Sequence, residues 1–225
     1  MSTAPFRRHD LVWLDPGVDA GRFVGASEHA VRARSWVERG RPLVVARQSE
    51  PAAGQAGQLI LGFTPPPAPA RKRVALRAPR AAIIRHSRPL LLLDAIDHAP
   101  RIWRPGMYSL HALCAKTGAV PRVYGSLSAQ AFTGASYLDE ASDLDLLLEC
   151  SEATQVHALL AALETFPLQT PRIDGEILAP TGWAVAWREL AGAVRAGTPR
   201  QVLAKSDGET RLIPVDQLFA RPLSA

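Results

Sequence analysis

The sequence predicts an α+β protein, and three observations carry that prediction. Residues 107–215 alternate between apolar patterns of helical period and short β-rich runs, which is the signature of a mixed sheet with flanking helices. Residues before about 80 hold several short strand patterns around a single helix, and so form a smaller α+β module of their own. No internal repeat occurs, and helices interrupt the strands too often for a sandwich. The expected division is therefore a small N-terminal module over residues 1–80 and a larger domain over 81–225.

The elements follow in order. Residues 9–14 read as a short strand stopped by Asp15, Pro16 and Gly17. Ser27 suits the cap of a helix running to Arg39, with Gly40 as its left-handed stop. Residues 42–47 and 59–63 read as strands separated by a Gly/Gln loop, and 64–70 as a stiff proline-rich connector before a strand at 73–77. Residues 81–104 read as helical. In the second half, 107–116 is a helix closed by Gly118, 120–124 a strand, 127–133 a short helix closed by Gly134, and 143–149 a strand. Ser151 suits the cap of a helix carrying Val156, Leu159, Leu160 and Leu163 at i, i+3, i+4 and i+7, ended by Pro167. Residues 172–177 read as a strand and 183–195 as a helix bearing Trp183 and Trp187 on one face. Residues 201–205 and 210–215 flank Ser206, Asp207 and Gly208 as a hairpin.

Composition narrows the function classes. The 225 residues are 47% hydrophobic and 21% charged, ordinary values for a folded globular chain. No apolar run reaches membrane-spanning length, and the first ten residues lack a signal-peptide core, so the expected compartment is the cytoplasm. Cys114 and Cys150 sit in apolar surroundings without zinc-ligand spacing and read as buried thiols. The six histidines are dispersed, and neither Gly-x-Ser-x-Gly nor a Gly-Lys-Ser/Thr phosphate loop is present. The net charge of +5 and pI of about 9.8 call for a polyanionic partner. Apart from the run Arg71, Lys72 and Arg73, the charges show no local cluster and few aromatics interleave with them, which weakens the case for nucleic acid.

The chemistry concentrates in three places. Asp143 and Asp145 open the leucine-rich run that ends at Leu148, and in a strand their side chains emerge on one face while Leu144, Leu146 and Leu148 take the other. Two like charges beside a core are costly unless neutralised, and Mg²⁺ does this while its remaining positions take water and phosphate oxygens. Gly125 and Ser126 lie at a strand-to-helix junction, where a glycine permits close backbone approach and exposed N–H groups grip phosphate. Asp174 and Glu176 share a face of a later strand, and Asp174 becomes a third carboxylate if that strand lies beside the first pair. The reading is a metal-dependent enzyme acting on a phosphorylated substrate.

This order of parts resembles the nucleotidyltransferase superfamily, with its polymerase-beta-like fold. A narrower resemblance rests on His9 to Leu14, on Val123 to Ser126 with Gln130, Thr133 and Gly134, on Ser142 to Leu147, on Asp174 to Glu176, and on Trp183 to Leu190. It is to the phosphoribosyl-dephospho-CoA transferases, also called malonate decarboxylase holo-acyl-carrier-protein synthases. The resemblance implies transfer of the prosthetic group of 2′-(5″-triphosphoribosyl)-3′-dephospho-CoA to a serine of an acidic acyl carrier protein, with release of pyrophosphate. Asp143 and Asp145 match the family's catalytic pair and would hold Mg²⁺. Asp174 would complete the metal site or take the serine proton, with Glu176 as its rival. Gly125, Ser126, Lys205, Arg172 and Arg188 would hold the phosphates, and the basic surface would steer the carrier into place. The competing expectations are a nucleotidyltransferase with another acceptor (a small molecule, an RNA end or a citrate lyase carrier protein) and a basic RNA-binding module without catalysis.

Overall fold

The computed structural model describes residues 6–17, 27–48, 57–66, 73–139, 141–167, 171–197 and 200–219. The segments 49–56 and 67–72, which include most of the expected Gly/Gln loop, much of the proline connector and the Arg71–Lys72 pair, lie outside the described residues. The chain divides into two compact units, each with its own hydrophobic core. The first comprises residues 1–89 with 132–137 and 207–209, and the second the remainder.

The first unit is a five-stranded antiparallel sheet with one helix. Its strands are β1 (Leu11–Leu14), β2 (Leu43–Val45), β3 (Gln58–Phe63), β4 (Val74–Pro79) and β5 (Ile83–Ser87), and its helix is α1 (Ser27–Glu38). The sheet order is β4-β3-β2-β1-β5. Ala33, Trp36 and Val37 recur at helical spacing and join Val12, Leu14, Leu59, Leu61, Phe63 and Leu76 in the core. The buried indole N–H of Trp36 is satisfied by the Pro42 carbonyl at 2.8 Å. Gly40, at φ +64°, ends α1 as expected. The helix expected over 81–104 forms only in part: Leu92–Ala95 is helical and continues as a tighter turn through Ile96–His98, but Ile83–Ser87 is extended. Ile83–Ser87 instead pairs with β1, because Ile83 belongs to the core and Asp10, buried beside β1, holds His86 and Arg88 at 2.7 and 2.5 Å. Pro89 also disfavours a helix through this stretch. For the same reason the first unit extends to Pro89.

The second unit is a seven-stranded mixed sheet. In chain order come β6 (Leu90–Leu91), α2 (Leu92–Ala95), α3 (Arg104–Thr117), β7 (Val120–Val123), α4 (Gly125–Thr133), β8 (Leu144–Glu149), α5 (Ala153–Glu164), β9 (Ile173–Leu178), β10 (Ala184–Ala186), α6 (Trp187–Arg195), β11 (Gln201–Lys205) and β12 (Thr210–Pro214). The sheet order is β12-β11-β10-β9-β8-β7-β6, and β8 and β9 are parallel, joined through α5. Leu144, Leu146 and Leu148 are fully buried against Met107, Leu110, Val156 and Leu159 in one core. Asp145 therefore faces the opposite side of the sheet.

Two expectations in this unit need correction. Trp183 does not share a helix with Trp187, because Ala184–Ala186 forms a strand paired with β9 and the helix begins only at Trp187. A segment between β9 and β11 must extend to complete the ladder, and that tertiary demand overrides local helical periodicity. The helix after residue 150 starts at Ala153 rather than being capped by Ser151. The Gln155 side chain accepts from the backbone N–H groups of Ser151 and Glu152 at 2.8 and 3.3 Å. Cys114 and Cys150 are buried free thiols, and burial pushes both up to about 12.

Candidate active site

The site is built where β7, α4, β8 and β9 meet. The β7 strand pairs antiparallel with β8, and the Tyr124 N–H donates to the Asp145 carbonyl at 3.1 Å, so the start of α4 is held beside Asp145. Gly125 makes this approach possible. Its φ of +65° is a left-handed conformation, and a Cβ there would stand 1.9 Å from Asp145 Oδ2. The Asp145 carboxylate accepts a hydrogen bond from the Ser126 backbone N–H, at the positive end of α4.

Register supplies the second carboxylate. In the parallel β8–β9 ladder Asp145 stands opposite Asp174, so both side chains leave the same face of the sheet. Gly175, next to Asp174, approaches Leu146 so closely that a Cβ would meet its carbonyl oxygen at 2.2 Å. Its N–H donates to Asp174 Oδ1 at 2.9 Å. Burial, followed by the charge of Asp174, pushes the Asp145 carboxyl up to about 6; the Asp143 charge acts in the same direction and the Ser126 N–H against it.

Asp143 lies one residue before β8, and both of its oxygens are taken by Arg172, at 2.8 and 2.5 Å. That bidentate hydrogen bond lowers the Asp143 carboxyl below its ordinary value, with a smaller contribution from the Arg188 charge. Arg188 stacks over the Trp187 ring at 4.3 Å and donates to the Ile173 carbonyl at 3.2 Å. Further along the face, Lys205 donates to the buried Glu176 at 2.7 Å.

All eight residues expected at the site thus lie in the second unit. Gly125, Ser126, Asp145 and Asp174 form its centre; Asp143, Arg172 and Arg188 adjoin it; Lys205 is joined to Glu176. Two cations expected to hold phosphate instead have carboxylate partners in this structure. Sequence reasoning missed the Arg172–Asp143 pair, because it depends on the register that places Ile173 opposite Leu144. Among the described residues, no group of three or more His, Cys, Asp or Glu side chains stands ready to hold a metal ion, and Asp143 is engaged by Arg172. The donor chemistry nevertheless suits a hard cation. The candidate donors are all carboxylate oxygens, and burial with the Asp174 charge makes ionisation of Asp145 costly without a cation.

Comparison with known proteins gives a consistent result. Residues 7–89 match the family model for the phosphoribosyl-dephospho-CoA transferase MdcG N-terminal domain, and residues 90–216 match that for the C-terminal domain. A phosphoribosyl-dephospho-CoA transferase of Xanthomonas campestris pv. campestris is 39% identical over 219 residues, covering 97% of this chain and 99% of the relative. Relatives of the same name from Bradyrhizobium diazoefficiens and Azotobacter vinelandii are 34% and 32% identical, covering 84% and 91% of the chain and 83% and 91% of their own lengths. No solved structure matches significantly. With both family models matched in order and relatives aligned over nearly their full length, the chain belongs to the phosphoribosyl-dephospho-CoA transferase family.

Proposed function

We propose that this protein transfers the prosthetic group of 2′-(5″-triphosphoribosyl)-3′-dephospho-CoA to a serine of the malonate decarboxylase acyl carrier protein in the cytoplasm. The serine hydroxyl attacks the phosphorus nearest the ribose, a phosphodiester forms, and pyrophosphate leaves. One observation carries the reading: Asp145 and Asp174 stand side by side on parallel strands, with the Gly125–Ser126 helix start closed onto Asp145. A junction of this kind, followed by Asp-x-Asp on the next strand and a carboxylate on its neighbour, supports a polymerase-beta-like nucleotidyltransferase domain.

Asp145 and Asp174, with Asp143 once it parts from Arg172, would hold Mg²⁺, which when bound neutralises phosphate charge and polarises the phosphorus under attack. The chain's own residues do the rest. Arg172 and Arg188 hold the triphosphate oxygens and carry charge toward the departing pyrophosphate. Asp174 takes the serine proton; Glu176 is less accessible to the serine hydroxyl, because it is buried and accepts from Lys205. The N-terminus of α4 keeps Asp145 oriented.

The test is mass spectrometry of an apo carrier protein incubated with enzyme, Mg²⁺ and the triphosphate. Wild-type protein should add the mass of phosphoribosyl-dephospho-CoA, and Asp145→Asn and Asp174→Asn should not. Modification at the wild-type rate by either folded variant would overturn the assignment.

A further inference from the structure

The positive charge of this chain is segregated. Residues 1–89 carry 15 Lys and Arg against 6 Asp and Glu, a net +9, whereas residues 90–225 carry 11 against 15, a net −4. The half bearing the candidate site is acidic, so the net attraction for a polyanion belongs to residues 1–89.

One part of the first unit is organised for contact. The β5 strand is an edge of the sheet. Its register against β1 slips between Trp13 and Leu14, where Leu14 faces Ile83 and Trp13 faces Arg85. Ile84 is the extra residue of that bulge, and it is 65% exposed. Two exposed arginines flank it. The Arg80 guanidinium lies over the Phe6 ring at 5.5 Å, and that of Arg85 over Trp13 at 4.2 Å. Stacking fixes a guanidinium while leaving its N–H edge able to bond a carboxylate, which reduces the ordering cost of binding. His86 and Arg88 are turned to Asp10 instead. The result is an exposed aliphatic side chain, set in sequence between two stacked arginines, on a strand that is the last of its sheet among the described residues.

We propose that this edge, Arg80 to Ser87, is the docking surface for an acidic protein. Taken with the transfer reading, on which the partner's identity rests, that protein is the apo carrier. Charge complementarity and the central isoleucine favour a protein over RNA. A single-stranded nucleic acid needs exposed rings for its bases, whereas Trp13, Trp36 and Phe63 are buried and the half-buried Phe6 is covered by Arg80. The charge brings the carrier in, and Ile84 supplies the apolar contact that holds it.

The test uses full-length protein. Arg80→Glu/Arg85→Glu and Ile84→Asp should each raise the KM for the carrier by about tenfold or more while leaving the KM for the triphosphate unchanged. Because both arginines rest on aromatic rings, a second measurement avoids substitution altogether. Hydrogen exchange of the wild-type protein, with and without apo carrier, should show protection over residues 80–87. An unchanged carrier KM in folded variants, or protection confined to other segments, overturns the proposal. So does a single-stranded RNA oligomer that displaces the carrier from this edge at physiological salt. Wild-type protein that is protected at 80–87 yet transfers nothing refutes the transfer reading and leaves the docking surface standing.

Discussion

Replacing Asp145 with asparagine should stabilise the fold while abolishing transfer. In the folded protein the Asp145 carboxyl titrates at about 6 against an ordinary value of 3.8, because burial and the Asp174 charge both oppose its ionisation. The folded state therefore holds this proton more tightly than the unfolded chain does. Below pH 3.8 both states are protonated and the group has no effect. Between 3.8 and about 6 the unfolded chain has lost the proton and the folded protein keeps it, so stability falls as pH rises; above 6 the deficit is constant. At about 1.4 kcal/mol per pKa unit the deficit is about 3 kcal/mol, or about 2 once contact with water is allowed for. Asparagine keeps an oxygen for the Ser126 N–H and carries no charge. At pH 7.5 without Mg²⁺ the variant should exceed wild type by about 2 kcal/mol, which is about 4–8 °C in Tm for a chain of this size. The gap should close toward pH 4. Saturating Mg²⁺ should raise the wild type by about 2.7 kcal/mol at one hundred times Kd and leave the variant unmoved. Calorimetry across pH, with and without Mg²⁺, reads all three effects. A variant less stable than wild type at pH 7.5, by the same margin at pH 4, would refute the charge argument.

Other perturbations test neighbouring contacts. Arg172→Gln should return the Asp143 carboxyl toward its ordinary value, as read by carbon-detected titration, and raise the KM for the triphosphate; the stability from this pair is present above the unfolded pKa and lost as pH falls through the folded one, so the variant should lose that acid-side dependence. Gly125→Ala places a Cβ against Asp145 Oδ2 in a left-handed conformation and should cost about 1–3 kcal/mol in urea denaturation, with Gly125→Ala/Asp145→Ala recovering stability but not transfer. Lys205→Met leaves Glu176 buried without its cation and should cost about 2–4 kcal/mol, most of it recovered in Lys205→Met/Glu176→Gln; an equal loss in the double variant would show that the pair itself stabilises the sheet.

Much of the second unit was legible because its signals are local. The short apolar run from Leu144 to Leu148, the i, i+3, i+4, i+7 set from Val156 to Leu163, and the turn residues between β11 and β12 each specify an element without reference to the rest of the chain. Failures occurred where a distant partner decides. Residues 83–87 are a strand because β1 and Asp10 need them, and Ala184–Ala186 because β9 does. The same holds within the site. Sequence spacing placed Asp143 and Asp145 together, and made Asp174 a conditional third. Only the parallel register shows that Asp174 faces Asp145 and that Arg172 reaches Asp143.

The close approach at Gly125 is part of why Asp145 is buried with its charge unbalanced. Gly125 and Gly175 are positions where any side chain would collide, with Asp145 in one case and with the Leu146 backbone in the other. Gly125 brings main chain directly against the Asp145 carboxylate, while Gly175 lets β9 close onto the Leu146 backbone. The close packing raises the cost of ionising Asp145, and the neighbouring arginine is committed to Asp143 rather than to the central pair. A fold selected for stability alone would place a cation against Asp145, as it places Lys205 against Glu176 a short way along the same face. Among the described residues, then, Glu176 is matched by Lys205 and Asp143 by Arg172, while Asp145 is given no such cation. That asymmetry is what a site keeps when its missing positive charge arrives with the substrate.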